Sequence, residues 1–176
     1  MNQCVVTIET KSARETKKVA RMLAEKIQTS AHAGRAIVIA LEGDLGAGKT
    51  TFTQGFAEEL GVKECVRSPT FVLMKTYELG KWSGARNKKL ASRGKWGRAR
   101  PLPFRFLVHI DCYRLDSPND LRSLGFLELL KDKDAIILIE WADRIRALLP
   151  KVAWRMRLMH GEKENERNIK ILNYEC

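Results

Sequence analysis

The segment GDLGAGKT at Gly43–Thr50 constrains the fold of this 176-residue chain more than any other feature. It matches the P-loop pattern GxxxxGK[ST], in which glycines let the backbone turn so that successive amides face one bound phosphate. The apolar run Ala36–Leu41 precedes it, and a helix predicted from about Thr50 to Leu60 follows it. A buried strand, a glycine-rich loop and a helix start are the context in which this motif binds phosphate. The sequence therefore predicts a P-loop nucleotide site.

Apolar residues elsewhere alternate between helical and strand spacing along the chain. Further helices are predicted from Ser12, which fits a capping box with Glu15, to near Ser30, over Asp120–Leu130 with a break at Gly125, and over Asp143–Leu149. Strands are predicted at Val5–Glu9, Phe71–Glu78, Phe106–Ile110 and Ala135–Ile139, with a terminal hairpin of Val152–Met159 and Asn168–Leu172. This order predicts one α/β domain over residues 1–176. We expect a P-loop NTPase-like three-layer sandwich with a mostly parallel central sheet and a C-terminal β-hairpin.

Most of the net charge of +11 comes from one segment. Nine basic residues and no acid lie within it: Lys81, Arg86, Lys88, Lys89, Arg93, Lys95, Arg98, Arg100 and Arg105. Removing these nine from the 32 lysines and arginines leaves 23, against 21 acids, so the rest of the chain is nearly neutral. The segment has neither helical nor alternating apolar spacing. We predict a basic loop insertion at about 80–105.

Other features of the composition favour a cytoplasmic protein. No apolar run approaches the ~20 residues that cross a bilayer, and the first residues do not resemble a signal peptide. The four cysteines lie far apart, without a CxxC pair or a cysteine and histidine cluster. We therefore expect reduced thiols, no structural metal and no membrane contact.

Two acids have the placement that a P-loop site needs. Asp111 follows the apolar run FLVHI, and Glu140 follows AIILI, so each is predicted to end a buried strand beside the phosphates. Carboxylates in this position hold Mg²⁺ and polarise water, together with the Thr50 hydroxyl. Lys49 is predicted to neutralise the β- and γ-phosphates. Which acid orients the attacking water stays open.

Several neighbouring residues permit two interpretations. His109 fits either a core histidine or a catalytic group, and Arg114 fits either sheet packing or phosphate contact. Trp141, directly after Glu140, fits core packing, a nucleotide contact or a partner surface. Pro69 restricts the preceding residue to extended geometry, which would turn Thr70 toward the magnesium, although a simple turn would have the same sequence.

Together, GDLGAGKTTF, SPTF, HIDCYRL and LIEWADRI resemble, in this order, the TsaE (YjeE) family, the ATPase of bacterial threonylcarbamoyladenosine (t6A) tRNA modification. The resemblance spans nearly the whole chain. It implies slow ATP hydrolysis that supports t6A formation at position 37 of tRNAs reading ANN codons, in a complex with TsaD and TsaB. The main departure is the basic insertion, because the family joins these strands with a much shorter connection.

The resemblance and the motifs together define the expected site. ATP and Mg²⁺ are the expected ligands, with Lys49, Asp111 and Glu140 as catalytic residues and Thr50, Asp111 and Glu140 as metal ligands. The expected nucleotide contacts are Gly43, Asp44, Leu45, Gly46, Ala47, Gly48, Lys49, Thr50, Thr51, Thr70 and Trp141.

Three other classes of protein remain as alternatives. A small phosphotransferase, such as a nucleoside or nucleotide kinase, fits the length and the P-loop. A kinase usually carries an arginine-bearing lid late in the chain, and none is evident after Glu140. A GTPase is disfavoured because no NKxD motif is present, and only the basic loop supports a nucleic-acid-binding module.

The basic loop leads to a testable prediction about tRNA. Its arginines and lysines, with Trp82 and Trp96 among glycines, are typical of segments that contact RNA by charge and stacking. Deleting Lys81–Arg100 should weaken tRNA binding and flatten its dependence on salt, because fewer counterions are released. ATP hydrolysis without RNA should barely change. Unaltered tRNA affinity across a salt titration would leave the insertion as a solvated surface feature.

Overall fold

The computed structural model describes residues 4–29, 34–69, 72–79 and 103–174. The strands are β1 (Cys4–Thr10), β2 (Ile37–Glu42), β3 (Met74–Glu78), β4 (Phe106–Asp111), β5 (Ala135–Glu140), β6 (Trp154–His160) and β7 (Arg167–Tyr174). The helices are α1 (Ala13–Thr29), α2 (Lys49–Glu59), α3 (Pro118–Ser123), α4 (Phe126–Leu129) and a 3₁₀ helix (Ala142–Leu148).

The strands form one mixed sheet in the order β1-β7-β6-β2-β5-β4-β3. Its centre, β6-β2-β5-β4, is parallel. The strand β3 at one edge pairs antiparallel with β4, and on the other side β7 pairs antiparallel with both β6 and the edge strand β1. The terminal strands β6 and β7 form the predicted hairpin. The prediction of a mostly parallel central sheet with a C-terminal hairpin is confirmed.

Side chains of β2 alternate between two cores, one on each face of the sheet. Ile39 and Leu41 pack with Phe52 and Phe56 of α2 and with helix α1. Val38 and Ala40 pack on the other face with residues from α3, α4 and the 3₁₀ helix. Because the central strands are buried on both faces, they read as continuous apolar runs in the sequence. The three-layer prediction is confirmed.

Helix ends follow the predicted signals with small shifts. Ser12 Oγ accepts the Glu15 amide at 3.2 Å, but the Glu15 carboxylate accepts the Lys11 amide at 2.7 Å rather than that of Ser12. The helix predicted over Asp120–Leu130 is divided at Gly125, whose φ is +80°, as expected. It begins earlier, because the Ser117 side chain caps the helix that starts at Pro118.

The strand predicted over Phe71–Glu78 is wrong at its start, since β3 begins at Met74. The Val72 amide donates to the Pro69 carbonyl at 2.9 Å, closing a turn, and Leu73 has φ +60°. A branched residue in the left-handed region cannot continue a strand. Phe71 itself lies outside the described residues.

The described residues on either side of the predicted basic loop are joined by a hydrogen bond. The Leu79 amide donates to the Arg105 carbonyl at 2.8 Å, and Phe104 is buried in the core beneath α1 and α2. Residues 80–102 lie outside the described part of the chain, so the insertion itself stays a prediction. Within the described ranges, no helix combines the length and the apolar character needed to cross a bilayer.

The approach of α1 to α2 depends on a glycine. A Cβ added at Gly55 would lie 2.6 Å from the Lys17 Cα and 2.7 Å from its carbonyl oxygen, both backbone atoms. Gly55→Ala should therefore force the helices apart and lower the free energy of unfolding by about 1–3 kcal/mol, although alanine favours a helix by about 1 kcal/mol.

Urea denaturation measures this effect. Gly61→Ala is the matched control, because Gly61 has φ +84° and open space around it, so only backbone strain of about 1–2 kcal/mol should appear. If Gly55→Ala is as stable as the unmodified protein, the helices do not approach as closely as described.

Candidate functional site

The P-loop connects β2 to α2 through backbone conformations that favour glycine. Gly43, Gly46 and Gly48 have φ values of +137°, +76° and +95°. A Cβ at Gly43 would lie 2.1 Å from the Leu158 carbonyl oxygen of β6, so any side chain there would collide with backbone. The glycines therefore shape a tight loop against the sheet, as the motif predicts.

Two side chains of the terminal hairpin fasten this loop from outside. His160 Nε2 lies 3.1 Å from the Leu45 carbonyl oxygen, and Arg167 Nε donates to the Gly46 carbonyl oxygen at 3.2 Å. Holding these carbonyls outward favours inward-facing amides. Neither residue is predicted from the sequence, because both lie more than a hundred positions from the loop.

A cavity of about 370 Å³ opens beside the P-loop. Its walls include Leu45, Gly46, Gly48, Lys49, Thr50, Thr51, Ser68, Asp111, Tyr113, Arg114, Glu140 and Trp141. Nine of the predicted site residues are therefore brought together. Three others lie in the loop but off these walls: Gly43 backs onto β6, Ala47 is buried in the core and the Asp44 side chain is exposed. Thr70 lies outside the described residues.

Lys49 lies at the inner end of the cavity. Its Nζ donates to the carbonyl oxygens of Gly43 at 2.7 Å and Asp44 at 2.8 Å, and it lies 3.8 Å from the Trp141 ring centroid. Burial lowers the pKa of Lys49, and the nearby carboxylates of Glu140 and Asp111 oppose that shift. A partly desolvated ammonium group held by neutral acceptors is available to an entering anion.

The two predicted acids are aligned at the carboxyl ends of neighbouring parallel strands. Asp111 of β4 is in register with Glu140 of β5, and each side chain is only 2% exposed. Residues in register on parallel strands point to the same face. Both carboxylates therefore face the P-loop from the sheet, as predicted.

Glu140 joins the sheet to the P-loop helix. Its Oε2 accepts the Thr50 hydroxyl at 2.8 Å, and its Oε1 accepts the Thr53 hydroxyl at 3.0 Å. His109 Nε2 lies 2.9 Å from the same Oε1, and this histidine is fully buried. His109 thus contacts the acid rather than filling the core alone. Its Nδ1 has no partner among the described residues.

Asp111 is held from two other directions. One carboxylate oxygen accepts the Tyr113 amide at 2.9 Å, and the other accepts the Ser68 hydroxyl. Ser68 belongs to the SPTF motif. Among the described residues of that motif, the contact with the site is made by this serine. Pro69 in the same motif was the available signal, because it restricts Ser68 to extended backbone.

Trp141 occupies a strained position beside both acids. Its φ and ψ are +57° and +41°, a conformation that is rare and costly for a bulky residue. The Tyr113 ring lies 4.9 Å away between centroids. The strain turns the indole over Lys49 and into the cavity wall, so Trp141 is part of the site rather than only the core.

The donor set suits a hard cation beside a phosphate. Thr50, Asp111 and Glu140 offer only oxygen atoms, which Mg²⁺ prefers, and magnesium usually takes one or two carboxylates and completes its shell with water and phosphate oxygens. No cluster of three or more histidine, cysteine or acidic residues occurs in the described ranges, so a dedicated protein-only metal cage is absent from them. Cys112 follows Asp111, but burial raises the pKa of its thiol to about 12, which suppresses the reactive thiolate.

A family model described as threonylcarbamoyl adenosine biosynthesis protein TsaE matches residues 10–169, a range that contains the whole site. The chain belongs to the TsaE family. It is 37% identical over 158 residues to the tRNA threonylcarbamoyladenosine biosynthesis protein TsaE of Bacillus subtilis, covering 89% of this chain and 80% of that protein. The corresponding protein of Haemophilus influenzae is 30% identical over 141 residues, covering 80% and 73%.

Structural similarity agrees with this membership of the TsaE family. The crystal structure of Bacillus subtilis YdiB matches with a TM-score of 0.69 and 28% sequence identity, over 99% of this chain and 89% of that one. The sheet and the P-loop of this chain therefore belong to a fold already seen in a solved structure.

The paired acids lead to a prediction. Asp111→Asn and Glu140→Gln preserve volume and hydrogen bonding but remove the charge, so both variants should still bind nucleotide and lose at least tenfold in ATP turnover, about 1.4 kcal/mol. Nucleotide titration and a phosphate-release assay measure the two quantities. Asp116→Asn is the control, because Asp116 is exposed and off the cavity wall. Unchanged turnover in either acid variant would remove that residue from the site.

Proposed function

We propose that this chain binds MgATP in the P-loop cavity and hydrolyses it slowly in the cytoplasm. The observation that carries the proposal is the juxtaposition of the glycine-rich loop and Lys49 with two buried carboxylates that end neighbouring strands. Hydrolysis would support t6A formation at position 37 of tRNA, with TsaD- and TsaB-like proteins as partners. Membership of the TsaE family supports the pathway, and the cavity supports the nucleotide.

The P-loop and the residues around the two acids have separate roles in this proposal. The loop amides and Lys49 bind the β- and γ-phosphates; the lysine stem is flexible enough to exchange two carbonyl oxygens for phosphate. Thr50, Asp111 and Glu140 would hold Mg²⁺, which supplies charge neutralisation at the phosphate oxygens when bound. Thr53 and His109 keep the Glu140 carboxylate in place, and Ser68 does so for Asp111.

The bond between Ser68 and Asp111 gives the site a connection to the SPTF segment. A change in the ligands of Asp111 alters the anchor of this segment, which continues to Thr70. We include in the proposal that the segment reports nucleotide state to a protein partner, so that hydrolysis times an assembly cycle rather than driving transfer of the carbamoyl group.

The small phosphotransferase remains the alternative. In the described residues after Glu140 the chain forms a 3₁₀ helix and a hairpin. The arginines of the 3₁₀ helix, Arg144 and Arg146, donate to the Leu115 carbonyl and to Glu42, neither of which is a phosphate position of the P-loop. Phosphoryl transfer needs a closed acceptor site that excludes water. The ATPase proposal therefore fits the described part of the chain better.

Replacing the P-loop cation tests the proposal. Lys49→Ala should reduce ATP affinity or turnover at least tenfold and abolish t6A formation in a reaction with TsaD, TsaB, ATP and unmodified tRNA. Lys63→Ala, an exposed lysine after α2, is the control and should behave as the unmodified protein. Normal hydrolysis and t6A formation by folded Lys49→Ala would contradict the proposal. A phosphorylated nucleoside or nucleotide product would favour the phosphotransferase.

A further inference from the structure

Three arginines converge on one buried carboxylate outside the cavity. Glu42 ends β2 and is 2% exposed. Its Oε1 accepts Arg155 Nη2 at 2.7 Å, and its Oε2 accepts Arg146 Nη2 at 2.8 Å and Arg157 Nη2 at 3.2 Å. We call these three arginines, with Lys170, the arginine face.

The arginine face carries more positive charge than Glu42 can neutralise. Burial would raise the pKa of Glu42, but hydrogen bonds from Arg155, Arg146 and Arg157 outweigh it and lower the pKa. The carboxylate is therefore ionised at neutral pH and cancels one of three guanidinium charges. A single guanidinium can compensate a buried carboxylate by donating two hydrogen bonds to it. Glu42 has three arginine partners, which is more than its burial requires.

The excess charge faces solvent on an open part of the sheet. Arg146, Arg157 and Arg155 are 51%, 47% and 32% exposed. On β6 the intervening side chains Met156 and Leu158 point to the opposite face, into the core under α1 and α2. The second core, on the face of the arginines, includes no residue of β6 or β7 among those described.

The pairing of β6 with β7 places a fourth positive charge beside the three arginines. Lys170 of β7 is in register with Arg157, so the two side chains share a face and their Cβ atoms lie about 5 Å apart. Lys170 is exposed and Arg157 is itself in register with Glu42 of β2. The result is a cluster of cations from two adjacent strands, β6 and β7, and from the 3₁₀ helix, with the Glu42 carboxylate of β2 bonded to the three arginines.

This arrangement suits a row of phosphate groups. A guanidinium has five N–H donors in a fixed fork that matches phosphate oxygens, and the bonds to Glu42 use one nitrogen of each arginine. Because Glu42 already orders the three side chains, binding of an anion costs less side-chain conformational entropy than it would with mobile lysines. A flat sheet face also accepts an extended polyanion, whereas a free nucleotide favours a concave cavity.

We propose that the arginine face binds the phosphodiester backbone of RNA, a contact separate from the nucleotide cavity. The choice of RNA rests on the proposed function, which brings tRNA to the same assembly. An acidic protein surface is the competing occupant. The guanidinium fork matches carboxylates as well as phosphates, so the displacement measurement below separates the two occupants.

Binding of an unmodified tRNA transcript to the full chain, measured by fluorescence anisotropy across a salt titration, tests this proposal. The test variant is Arg146→Gln, Arg157→Gln and Lys170→Gln together; Arg155 is retained because it is the most buried partner of Glu42. The matched control is Arg35→Gln, Lys131→Gln and Lys133→Gln, which removes the same charge from exposed residues at the amino ends of β2 and β5.

The test variant should bind tRNA at least tenfold more weakly at low salt, and the slope of log affinity against log salt should fall by about two. The control should lose less than about threefold. Lys170→Gln alone breaks no ion pair with Glu42 and should lose about threefold, so the test remains decisive if the triple variant folds poorly. Equal losses in the test and control triples, or no tRNA binding by the unmodified chain, would overturn the proposal.

Two further measurements separate the competing explanations. Displacement of tRNA by polyglutamate at a lower concentration than by homopolymeric RNA would assign the face to an acidic protein and overturn the RNA assignment. ATP hydrolysis by the test variant should equal that of the unmodified protein. If neither the unmodified protein nor any variant hydrolyses ATP, the proposed function is contradicted. If the test variant hydrolyses ATP normally and binds tRNA as tightly as the unmodified protein, only the RNA-binding role of the arginine face is contradicted.

Discussion

The alignment of Asp111 with Glu140 is the constraint on which the rest of the site depends. Burying two acids side by side is unfavourable unless hydrogen bonds or cations compensate them. Hydroxyls from α2, the Ser68 hydroxyl, a histidine and the Lys49 ammonium group supply that compensation. The P-loop helix is therefore fastened to the sheet by the same groups that make the cavity able to bind a charged ligand.

The neighbouring strand β2 also ends in a buried acid, Glu42, whose charge is compensated in a different way. Glu42 is as deeply buried as Glu140, but its compensation comes from three long, half-exposed arginines rather than from short hydroxyls. The short threonine hydroxyls enclose the Glu140 carboxylate, whereas the long arginines at Glu42 leave their excess positive charge exposed to solvent. The two ends of the P-loop therefore lie in opposite electrostatic surroundings. Where β2 ends, the arginines form a positively charged surface, and where α2 begins, the carboxylates of Asp111 and Glu140 face the cavity.

Much of this fold could be predicted from local patterns. The P-loop, the buried runs of β2 and β5, and the acids that end β4 and β5 are encoded within a few residues each, because strand burial and loop geometry are local consequences of residue type. Membership of the TsaE family confirms the resemblance drawn from four such motifs. The predicted strand Phe71–Glu78 was wrong at its start, because a local turn joins Pro69 to Val72 and because the left-handed Leu73 accepts a hydrogen bond from the distant Asp111 amide.

The residues that sequence reasoning missed act over long separations. His160 and Arg167 reach the P-loop only because β6 pairs beside β2, and the partners of Glu42 come from three distant positions. A crystal structure with Mg²⁺ and a non-hydrolysable ATP analogue would show whether MgATP binds in this cavity. We expect the phosphates to lie within the P-loop, with Lys49 Nζ moved from the Gly43 and Asp44 carbonyls to phosphate oxygens. A nucleotide bound elsewhere, or a Lys49 that keeps its loop contacts, would contradict this proposal.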